Sequence, residues 1–432
     1  MKNVVTEVVR EGLCVGCGLC AGLGRAGCLE MVREGAYHPQ LQSCRECGQC
    51  LAVCPALDSA AQVSAIRRPV GEMLSAWVGH SLVPEERERG SSGALATRLL
   101  QALLARGEVA GVIAVCATGR PQQLFEPRLL RSAEEIAEAA GSKYYPVEFS
   151  QALRQIEEAA EPYALVGLPC VIRGLRRAQE RLPWLKERLP YLFALTCGRG
   201  TTSHYTDLLA YLAGLGQAPL AEAQYRVKAG ARQANDFIFR ARSEEGQWGR
   251  PLPFNHSPVH QVWSNWLLMP PGCFACADLF GGAAEATFMD AWLPEYLDDT
   301  GGNSIVIARS ARIERLLHEE ERAGRVALSP LEEARVLASQ AGALRRKRQS
   351  AWHHPAARRL RAETPAPAGR GAGVVSAWWR LRNRFSLACL RGPRWRRRPG
   401  MSLLLACMRG QVLGRVLSWP LRKLRSWARS AG

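Results

Sequence analysis

The chain contains the run Cys44-Arg45-Glu46-Cys47-Gly48-Gln49-Cys50-Leu51-Ala52-Val53-Cys54-Pro55. Its cysteines follow the spacing C-x2-C-x2-C-x3-C-P, which in iron–sulfur proteins supplies thiolates to two cubane clusters. Two-residue gaps let three sulfurs of one loop reach three irons of one cluster, while the fourth cysteine ligates the other cluster. A second group of cysteines precedes the run, at Cys14, Cys17, Cys20 and Cys28.

The two groups together predict a ferredoxin-like domain over residues 1–66 that holds two [4Fe–4S] clusters. Each triplet pairs with the last cysteine of the other group, which gives two ligand sets: Cys14, Cys17, Cys20 and Cys54, and Cys44, Cys47, Cys50 and Cys28. The longer gap before Cys28 departs from the usual spacing. A pair of zinc knuckles is the alternative, because thiolates also bind Zn²⁺.

Cysteine usage and the N-terminus bear on the compartment. The 15 cysteines of the 432-residue chain lie in closely spaced groups, which favours metal ligation in a reducing compartment over a disulfide framework. The first residues contain acids and no apolar signal-peptide core. The apolar stretch Met401–Met408 is too short to span a bilayer. We therefore expect a cytoplasmic protein.

After residue 66, apolar runs alternate with helical patterns. Helices are predicted at Ala94–Arg106, with Ser91 and Ser92 as caps, at Val171–Gln179 and at Ser203–Leu212. Strands are predicted at Val109–Val115, Tyr163–Val166 and Tyr191–Leu195. This alternation predicts an α+β chain in which an α/β domain with a mostly parallel sheet follows the small module, in two parts, 67–160 and 161–338.

Four further cysteines occur in the α/β region. Cys170 and Cys197 each follow a predicted strand, and Cys273 and Cys276 form a C-x2-C pair. The carboxyl ends of parallel strands share one crevice, and the N-terminus of the helix that follows Cys170 favours its thiolate. Four thiolates there could hold a third [4Fe–4S] cluster. Alternatively, Cys170 and Cys197 are ordinary buried cysteines and only the C-x2-C pair is special.

Several stretches between residues 10 and 315 resemble the beta subunit family of coenzyme F-420 hydrogenases and formate dehydrogenases. They are Gly79-His80-Ser81, Gly90–Thr97, Gly141–Tyr144, Val166–Cys170, Thr196-Cys197, Cys273–Asp278, Asp290-Ala291-Trp292 and Gly302-Asn303-Ser304. The resemblance implies bound FAD and the third cluster at the four cysteines of the body. It also implies electron transfer between a two-electron donor or acceptor, including coenzyme F-420 as a substrate, and one-electron clusters.

The same resemblance implies the residues of the flavin site. The backbone of Ser91, Ser92 and Gly93 would bind the pyrophosphate at a helix start, Lys143 would supply a positive charge, and Asp290 would belong to the same site. The alternatives are a plain helix cap for the two serines and a solvated turn residue for Lys143. Two positions depart from the family pattern and bear on the substrate: Ala94 and Met289 each stand where glycine is usual.

Residues 339–432 form a basic region rich in tryptophan and arginine. From Arg345 onward this region holds 22 of the 57 basic residues and one acid, Glu363. A Pro/Gly/Ala linker is predicted at Thr364–Gly373. A helix over Gln411–Arg429, with Leu and Trp on one face and Arg on the other, predicts peripheral contact with an anionic membrane at its inner face. A nucleic-acid-binding arm and a solvated disordered tail are the alternatives.

These patterns predict an iron–sulfur flavoprotein oxidoreductase that passes electrons to a redox partner protein or small-molecule acceptor. One alternative is a self-contained FAD and iron–sulfur reductase of a pigment or polysaccharide-pathway intermediate. An alternative of another class is a non-catalytic zinc-binding adaptor with a nucleic-acid-binding arm. Three cysteines are expected to be packing residues: Cys116, Cys389 and Cys407.

Overall fold

The computed structural model describes residues 2–24, 26–228, 230–255, 259–367, 371–391 and 394–409. The chain begins with a small module made of one π-helical turn at Val5–Val9, a hairpin and three short helices. These elements are α1 Leu19–Gly22, β1 Leu29–Glu34, β2 Ala36–Leu41, α2 Gln49–Ala52 and α3 Ser59–Arg67. The two strands pair antiparallel, with Leu29 opposite Leu41. The module therefore has little regular structure apart from the hairpin.

After the module, the described residues contain eleven strands in two sheets. They are β3 Ser75–Ser81, β4 Gly111–Arg120, β5 Gln123–Leu130, β6 Tyr163–Gly167, β7 Tyr191–Leu195, β8 Leu220–Val227, β9 Ile238–Ser243, β10 Leu252–Pro253, β11 Ala286–Asp290, β12 Ser304–Ala308 and β13 Val326–Pro330. Eight of them form a central sheet in the order β13-β3-β12-β11-β7-β6-β4-β5, and β8, β9 and β10 form a small antiparallel sheet.

The remaining helices lie around these sheets. They are α4 Pro84–Arg89, α5 Leu95–Ala105, α6 Ala133–Glu138, α7 Ser150–Glu157, α8 Pro169–Gln179, α9 Pro183–Arg188, α10 Ser203–Leu212, α11 Val259–Ser264, α12 Ala311–Arg322, α13 Glu333–Ser339, α14 Ala341–Trp352, α15 Arg358–Glu363, α16 Ala372–Cys389 and α17 Arg394–Arg409. The α+β class is confirmed, and β7 and α10 have the predicted bounds.

The prediction of a mostly parallel sheet is wrong. Only three neighbouring pairs are parallel, β4 with β6, β6 with β7, and β7 with β11. The other four pairs are antiparallel. The reason is that β4 and β5 form a hairpin in which Arg120 pairs with Gln123, and β11 returns as β12 without an intervening α-helix. Such short connections reverse the chain, whereas a parallel pair needs a crossover.

Both faces of the central sheet are covered. Successive residues of a strand point to opposite faces, so Val112 packs with α5 and α12 while Ile113 packs with α7 and α8. The second of these cores also contains Leu19 of the N-terminal module, which is fully buried. The module and the α/β body thus share one hydrophobic core.

The described part of residues 339–432 consists of helices that pack on the body. In α14, the Ser350 hydroxyl donates to the Phe274 carbonyl over 2.9 Å. In α16, the Asn383 side chain accepts from the Met269 N–H over 2.8 Å and donates to the Met269 carbonyl over 3.0 Å. The predicted helix Gln411–Arg429 lies outside the described residues. Within the described ranges, no helix is both long and apolar enough to cross a bilayer.

The contact between α8 and the module is close enough to test by adding one methyl group. A Cβ at Gly174 would overlap Leu19 Cδ1 and lie 3.1 Å from both Pro55 Cδ and the Val53 carbonyl oxygen. We expect Gly174→Ala to lower the free energy of unfolding by about 1–3 kcal/mol, despite the better helix propensity of alanine. Urea unfolding followed by circular dichroism measures the change.

The matched control is Gly342→Ala in α14, where a Cβ would meet nothing within 4 Å. This variant should keep the wild-type stability or gain up to about 1 kcal/mol. Equal stabilities of the two variants would contradict the close packing of the module on α8.

Candidate functional site

Four cysteines of the module line one cavity, which we call site A: Cys14, Cys17, Cys20 and Cys54. The rest of its wall is largely apolar and includes Val4, Val8 and Met31. The first three cysteines come from the loop before and within α1, and Cys54 follows α2. The structure thus brings together one of the two sets assigned from the sequence.

The remaining four cysteines of the module line a second cavity, site B: Cys28, Cys44, Cys47 and Cys50. This is the other predicted set, and it includes Cys28 despite its long gap. Site B is closer to solvent than site A, because Cys47 is exposed while Cys20 and Cys54 are buried. The two cavities are neighbours, and Cys20 lines both of them.

The loops of the two sites have the same backbone shape. In each loop the residues on both sides of the middle cysteine have positive φ: 74° and 78° at Gly16 and Gly18, and 50° and 73° at Glu46 and Gly48. Three of the four are glycines, which adopt this conformation at little cost, while Glu46 is a side-chain-bearing residue in the left-handed region. The repeated C-x2-C-G-x-C sequence therefore folds twice into one cradle.

The surroundings of site A disfavour free thiolates. Burial raises the pKa of Cys14 to about 11. Burial also raises the pKa values of Cys17, Cys20 and Cys54, and neighbouring cysteines raise the first two further. Four such thiols can ionise together only if a cation balances their charge. A set of four soft sulfur ligands fits iron–sulfur or zinc chemistry.

Thiolate quartets serve both single zinc ions and cubane clusters, which differ in the spacing of the sulfurs. Among the described residues, no three His, Cys, Asp or Glu side chains converge in a group that could hold one metal ion. A single Zn²⁺ needs every sulfur at about 2.3 Å from one point. A cubane instead carries one thiolate on each of four irons, so its ligands stand around a larger cage.

Four cysteines of the body also lie together, and we call them site C: Cys170, Cys197, Cys273 and Cys276. Cys170 lies in the first turn of α8, Cys197 follows β7, and the C-x2-C pair spans a 3-10 turn at Pro271–Ala275. Burial, together with the other three cysteines, raises the pKa of Cys170. The structure thus places all four in one group, in which Cys276 is buried and the other three are partly buried, as the third-cluster interpretation requires.

Two buried cations face site C, and neither was found from the sequence. Lys347 of α14 donates to the carbonyls of Cys197 and Asp278 over 2.9 and 2.7 Å, and its Nζ is 3.4 Å from Cys276 Sγ. Arg173 of α8 pairs with Asp278 over 3.2 Å. Burial alone would raise the pKa of Cys276, but these two cations hold it below its usual value.

Site A and site C are adjacent. After burial and Cys20, the next influence that raises the pKa of Cys17 is Cys170 of site C. The Arg173 guanidinium also joins the sites, since its Nε donates to the Pro55 carbonyl over 3.3 Å while Nη1 pairs with Asp278. The three cysteine groups therefore stand in the order B, A, C, with site A next to both of the others.

The predicted flavin loop lies at the start of α5, but its serines do not cap that helix. The Ser91 hydroxyl accepts from the Ser142 N–H over 2.6 Å, and the Ser92 and Ser304 hydroxyls are 2.8 Å apart. The helix-cap alternative for these serines is wrong, because the N-cap residue of α5 is Ala94 and no side-chain capping hydrogen bond is made there. The serines instead join the loop to neighbouring segments.

Gly93 and Ala94 set the shape of this loop. A Cβ at Gly93 would overlap the Gly79 carbonyl oxygen and lie 2.7 Å from the Ser304 nitrogen, so no larger residue fits. Ala94 has a φ of 62°, in the left-handed region. Its Cβ makes that conformation cost roughly 1 kcal/mol more than glycine would, which accounts for glycine being usual here.

Lys143 is neither free nor solvated in the structure. Its ammonium donates to the carbonyls of Ala139 and Ala140 just after α6, the second over 2.8 Å. Burial lowers its pKa to about 8. The alternative of a solvated turn residue is therefore wrong.

Asp290, at the end of β11, forms a two-bonded ion pair with a residue that the sequence analysis missed. Arg226 of β8 donates to its two carboxylate oxygens over 3.0 and 2.8 Å. Lys228, two residues along the strand, donates to the carbonyls of Arg87, Ser92 and Gly301 over 2.6–2.9 Å. Residues two apart share one face of a strand, so the alternation Arg226-Val227-Lys228 was a usable signal.

Comparison with known proteins gives a consistent result. Residues 76–154 match the family model for the N-terminal part of coenzyme F-420 hydrogenase/dehydrogenase beta subunits, and residues 160–334 match the model for their C-terminal part. Together these matches span more than half of the 432 residues.

Two curated relatives are similar to the chain. A subunit of the F(420)H(2) dehydrogenase of Methanosarcina mazei is 25% identical over 214 residues, which are 46% of this chain and 56% of that relative. Coenzyme F-420-dependent sulfite reductase of Methanocaldococcus jannaschii is 30% identical over 183 residues, 40% of this chain and 26% of that relative. The chain thus spans only about half, or a quarter, of the length of these relatives.

A solved structure also aligns with the chain. The F-420-reducing [NiFe] hydrogenase complex from Methanosarcina barkeri contains a chain that superposes with a TM-score of 0.49 at 17% sequence identity. The superposition covers 66% of this chain and 92% of that chain.

The lowered pKa of Lys143 predicts a stability effect of defined sign. Between pH 8 and 10.5, the unfolded chain holds a proton on this lysine that the folded chain has lost. The free energy of unfolding therefore rises with pH in this window. Relative to Lys143→Met, the wild type should gain on the order of 1 kcal/mol from pH 8 to 10.5, as measured by urea unfolding at several pH values.

The exposed Lys186 of α9 provides the control. The difference in unfolding free energy between the wild type and Lys186→Met should stay constant over the same pH range. A constant difference for Lys143→Met as well would contradict the burial of the Lys143 ammonium.

Proposed function

Because the chain belongs to the coenzyme F-420 hydrogenase/dehydrogenase beta subunit family, as its sequence motifs predicted, we propose that it is an electron-transferring oxidoreductase with FAD and three [4Fe–4S] clusters. The observation that carries the proposal is the row of three cysteine quartets, B, A and C, that runs from the surface to the body. When bound, a flavin exchanges two electrons at once or singly, and each cluster exchanges one.

The residues proposed for the clusters divide into three sets of four. The two loops of the module would hold the clusters of sites A and B. Each site would take its fourth ligand from the other loop, Cys54 for site A and Cys28 for site B. Site C would be held by cysteines from three separate segments of the body. Thiolate is the usual ligand of such clusters, and no carboxylate or imidazole belongs to any of the three sets.

The proposed flavin site lies beside site C. Strands β7 and β11 are parallel, and Leu195 pairs with Phe288. Cys197 lies two residues beyond Leu195, and Asp290 lies two residues beyond Phe288. A ligand of site C and a residue of the proposed flavin site therefore lie at matching positions at the ends of neighbouring strands. Neighbouring strands are about 4.8 Å apart. This edge of the parallel strands is where ligands bind in α/β sheets.

Several residues would shape the flavin site. Gly93 lets the loop backbone lie close to the Gly79 carbonyl. The Lys228 ammonium donates to the carbonyls of Ser92 and Gly301 and so holds these two segments together. The N–H groups of Ser91 to Gly93 near the start of α5 would face the pyrophosphate. Arg226 holds the Asp290 carboxylate, and Lys143 supplies a second cation within the loop that follows α6.

Family membership suggests the electron donor, and the exposure of Cys47 suggests where a partner protein docks. We propose coenzyme F-420 as the two-electron substrate. A redox partner protein would dock at site B, because Cys47 is the exposed ligand there. We propose the cytoplasm as its compartment, because closely spaced cysteine groups of this kind suit a reducing environment. Family membership does not favour a zinc-binding adaptor with a nucleic-acid arm.

The proposal predicts separate effects on flavin reduction and on electron exit. Protein purified without oxygen should contain FAD and about twelve irons per chain. Reduced coenzyme F-420 should bleach the flavin absorbance near about 450 nm faster than NADH or NADPH does. Cys28→Ser should remove about four irons, keep flavin bleaching, and slow the reduction of added ferredoxin about tenfold or more.

Cys116→Ser is the control, because Cys116 is buried in the body and belongs to none of the three sites. It should retain the iron content and both activities. A protein that binds no flavin, or whose flavin is not reduced by any of these donors, would refute the proposed function.

The Lys347 ammonium should raise the midpoint potential of a cluster held at site C. A positive N–H group beside Cys276 favours the more negative, reduced form of a cluster held there. Lys347→Met should therefore lower the midpoint potential of one cluster by about 60–120 mV, which corresponds to one or two tenfold steps of 59 mV each. A redox titration followed by EPR, with iron content measured in parallel, gives the value.

Lys347→Arg keeps the charge and should retain most of the wild-type potential. Lys186→Met, which removes an exposed lysine from α9, should change no potential. An unchanged potential in Lys347→Met with full iron content would show that Lys347 does not act on a cluster at site C.

A further inference from the structure

Helix α16 packs on the body with its polar face inward. The side chains of Ser376, Asn383 and Ser386 are at most 2% exposed. Their hydrogen bonds go to the body and to α14: Ser386 accepts from the Leu268 N–H over 3.1 Å, and Ser376 donates to the Gln349 carbonyl over 3.3 Å. Trp379 and Leu387 also pack on the body, so α16 has apolar side chains on both its inward and its outward side, unlike an ordinary surface helix.

The outward face of α16 is apolar. Val374, Leu381 and Phe385 are 51%, 54% and 38% exposed. At about 100° per residue, these three fall within about 40° of one another on the side opposite Ser376 and Asn383. Single exposed apolar residues are common, but three in one stripe over three turns mark a binding surface. We call these three residues the apolar stripe.

Arginines flank the apolar stripe, and no acid lies near it in sequence. The exposed Arg384 lies on one side of the stripe and the partly buried Arg382 on the other, each about 80° from its centre. No Asp or Glu follows Glu363 anywhere in the sequence. Arginine stems can lie along an apolar phase while their guanidinium groups stay at its charged boundary. This distribution is complementary to an anionic lipid surface.

We propose that α16 lies on the surface of an anionic bilayer, with the apolar stripe inserted at the headgroup boundary and the flanking arginines on lipid phosphates. The polar hydrogen bonds of the inward face hold the helix on the body, and the three residues of the apolar stripe stay exposed in the part of the chain that the structure describes. The bound surface is a lipid headgroup layer, and not a protein, because the charges beside the stripe are all of one sign. The inference is independent of the proposed redox function.

Vesicle co-sedimentation of the full chain, purified without oxygen, tests the proposal. The wild type should sediment with vesicles of phosphatidylcholine and phosphatidylglycerol in equal amounts, and should stay in solution with phosphatidylcholine alone. High salt should weaken binding, because surface charge is screened. Leu381→Glu should weaken the partition into anionic vesicles by about tenfold or more, and Arg384→Gln by about threefold to tenfold.

Matched substitutions on the body complete the experiment. Leu74 has the same exposure as Leu381, 54%, and lies outside α16, so Leu74→Glu should bind as the wild type does. Arg315→Gln on the exposed side of α12 matches Arg384→Gln and should also have no effect. All variants should keep the wild-type iron content and circular dichroism.

Two results would overturn the proposal. One is a wild type that fails to sediment with the anionic vesicles, which would leave the apolar stripe to a protein partner. The other is a Leu381→Glu variant that sediments as well as the wild type, which would place lipid binding outside α16.

Discussion

Twelve cysteine thiols lie in three groups of four, and all but Cys47 are at least partly buried, where a thiolate is costly to form. Burial raises the pKa values of Cys14, Cys17, Cys20 and Cys54 in site A and of Cys170 in site C. Few protein cations face them: Lys347 and Arg173 are the ones closest to site C. The negative charge of several neighbouring thiolates must therefore be balanced. Cationic iron in a cubane would meet this requirement, because it binds as ligands thiolates that would otherwise repel one another.

The same requirement accounts for how the module is attached to the body. The module is too small and too irregular to form much of a core alone, yet its Leu19 is buried among residues of α7 and α8. Helix α8 begins with Cys170 of site C, and its Arg173 and Arg177 donate to carbonyls around Cys54 of site A. One helix thus sets the position of site C relative to site A. The two loops of the module then continue the row to site B.

Local patterns in the sequence predicted local features of the structure. Alternating strands and helices gave β6, β7, α8 and α10 almost to the residue. The repeated cysteine spacing assigned the same two quartets that the structure brings around two cavities. Strand direction was missed, because the hairpin at Arg120 and Gln123 has no strong turn motif. Lys347 was missed because it is 71 positions from Cys276, in a region whose arginines suggested a solvated tail.

Three neighbouring iron–sulfur clusters in one chain can be detected by EPR spectroscopy of the fully reduced protein, purified without oxygen. We expect a signal that integrates to about three spins per chain and is broadened by magnetic interaction between neighbouring clusters. A protein without an iron–sulfur signal, or with the sharp spectrum of one isolated cluster, would contradict the presence of three neighbouring clusters.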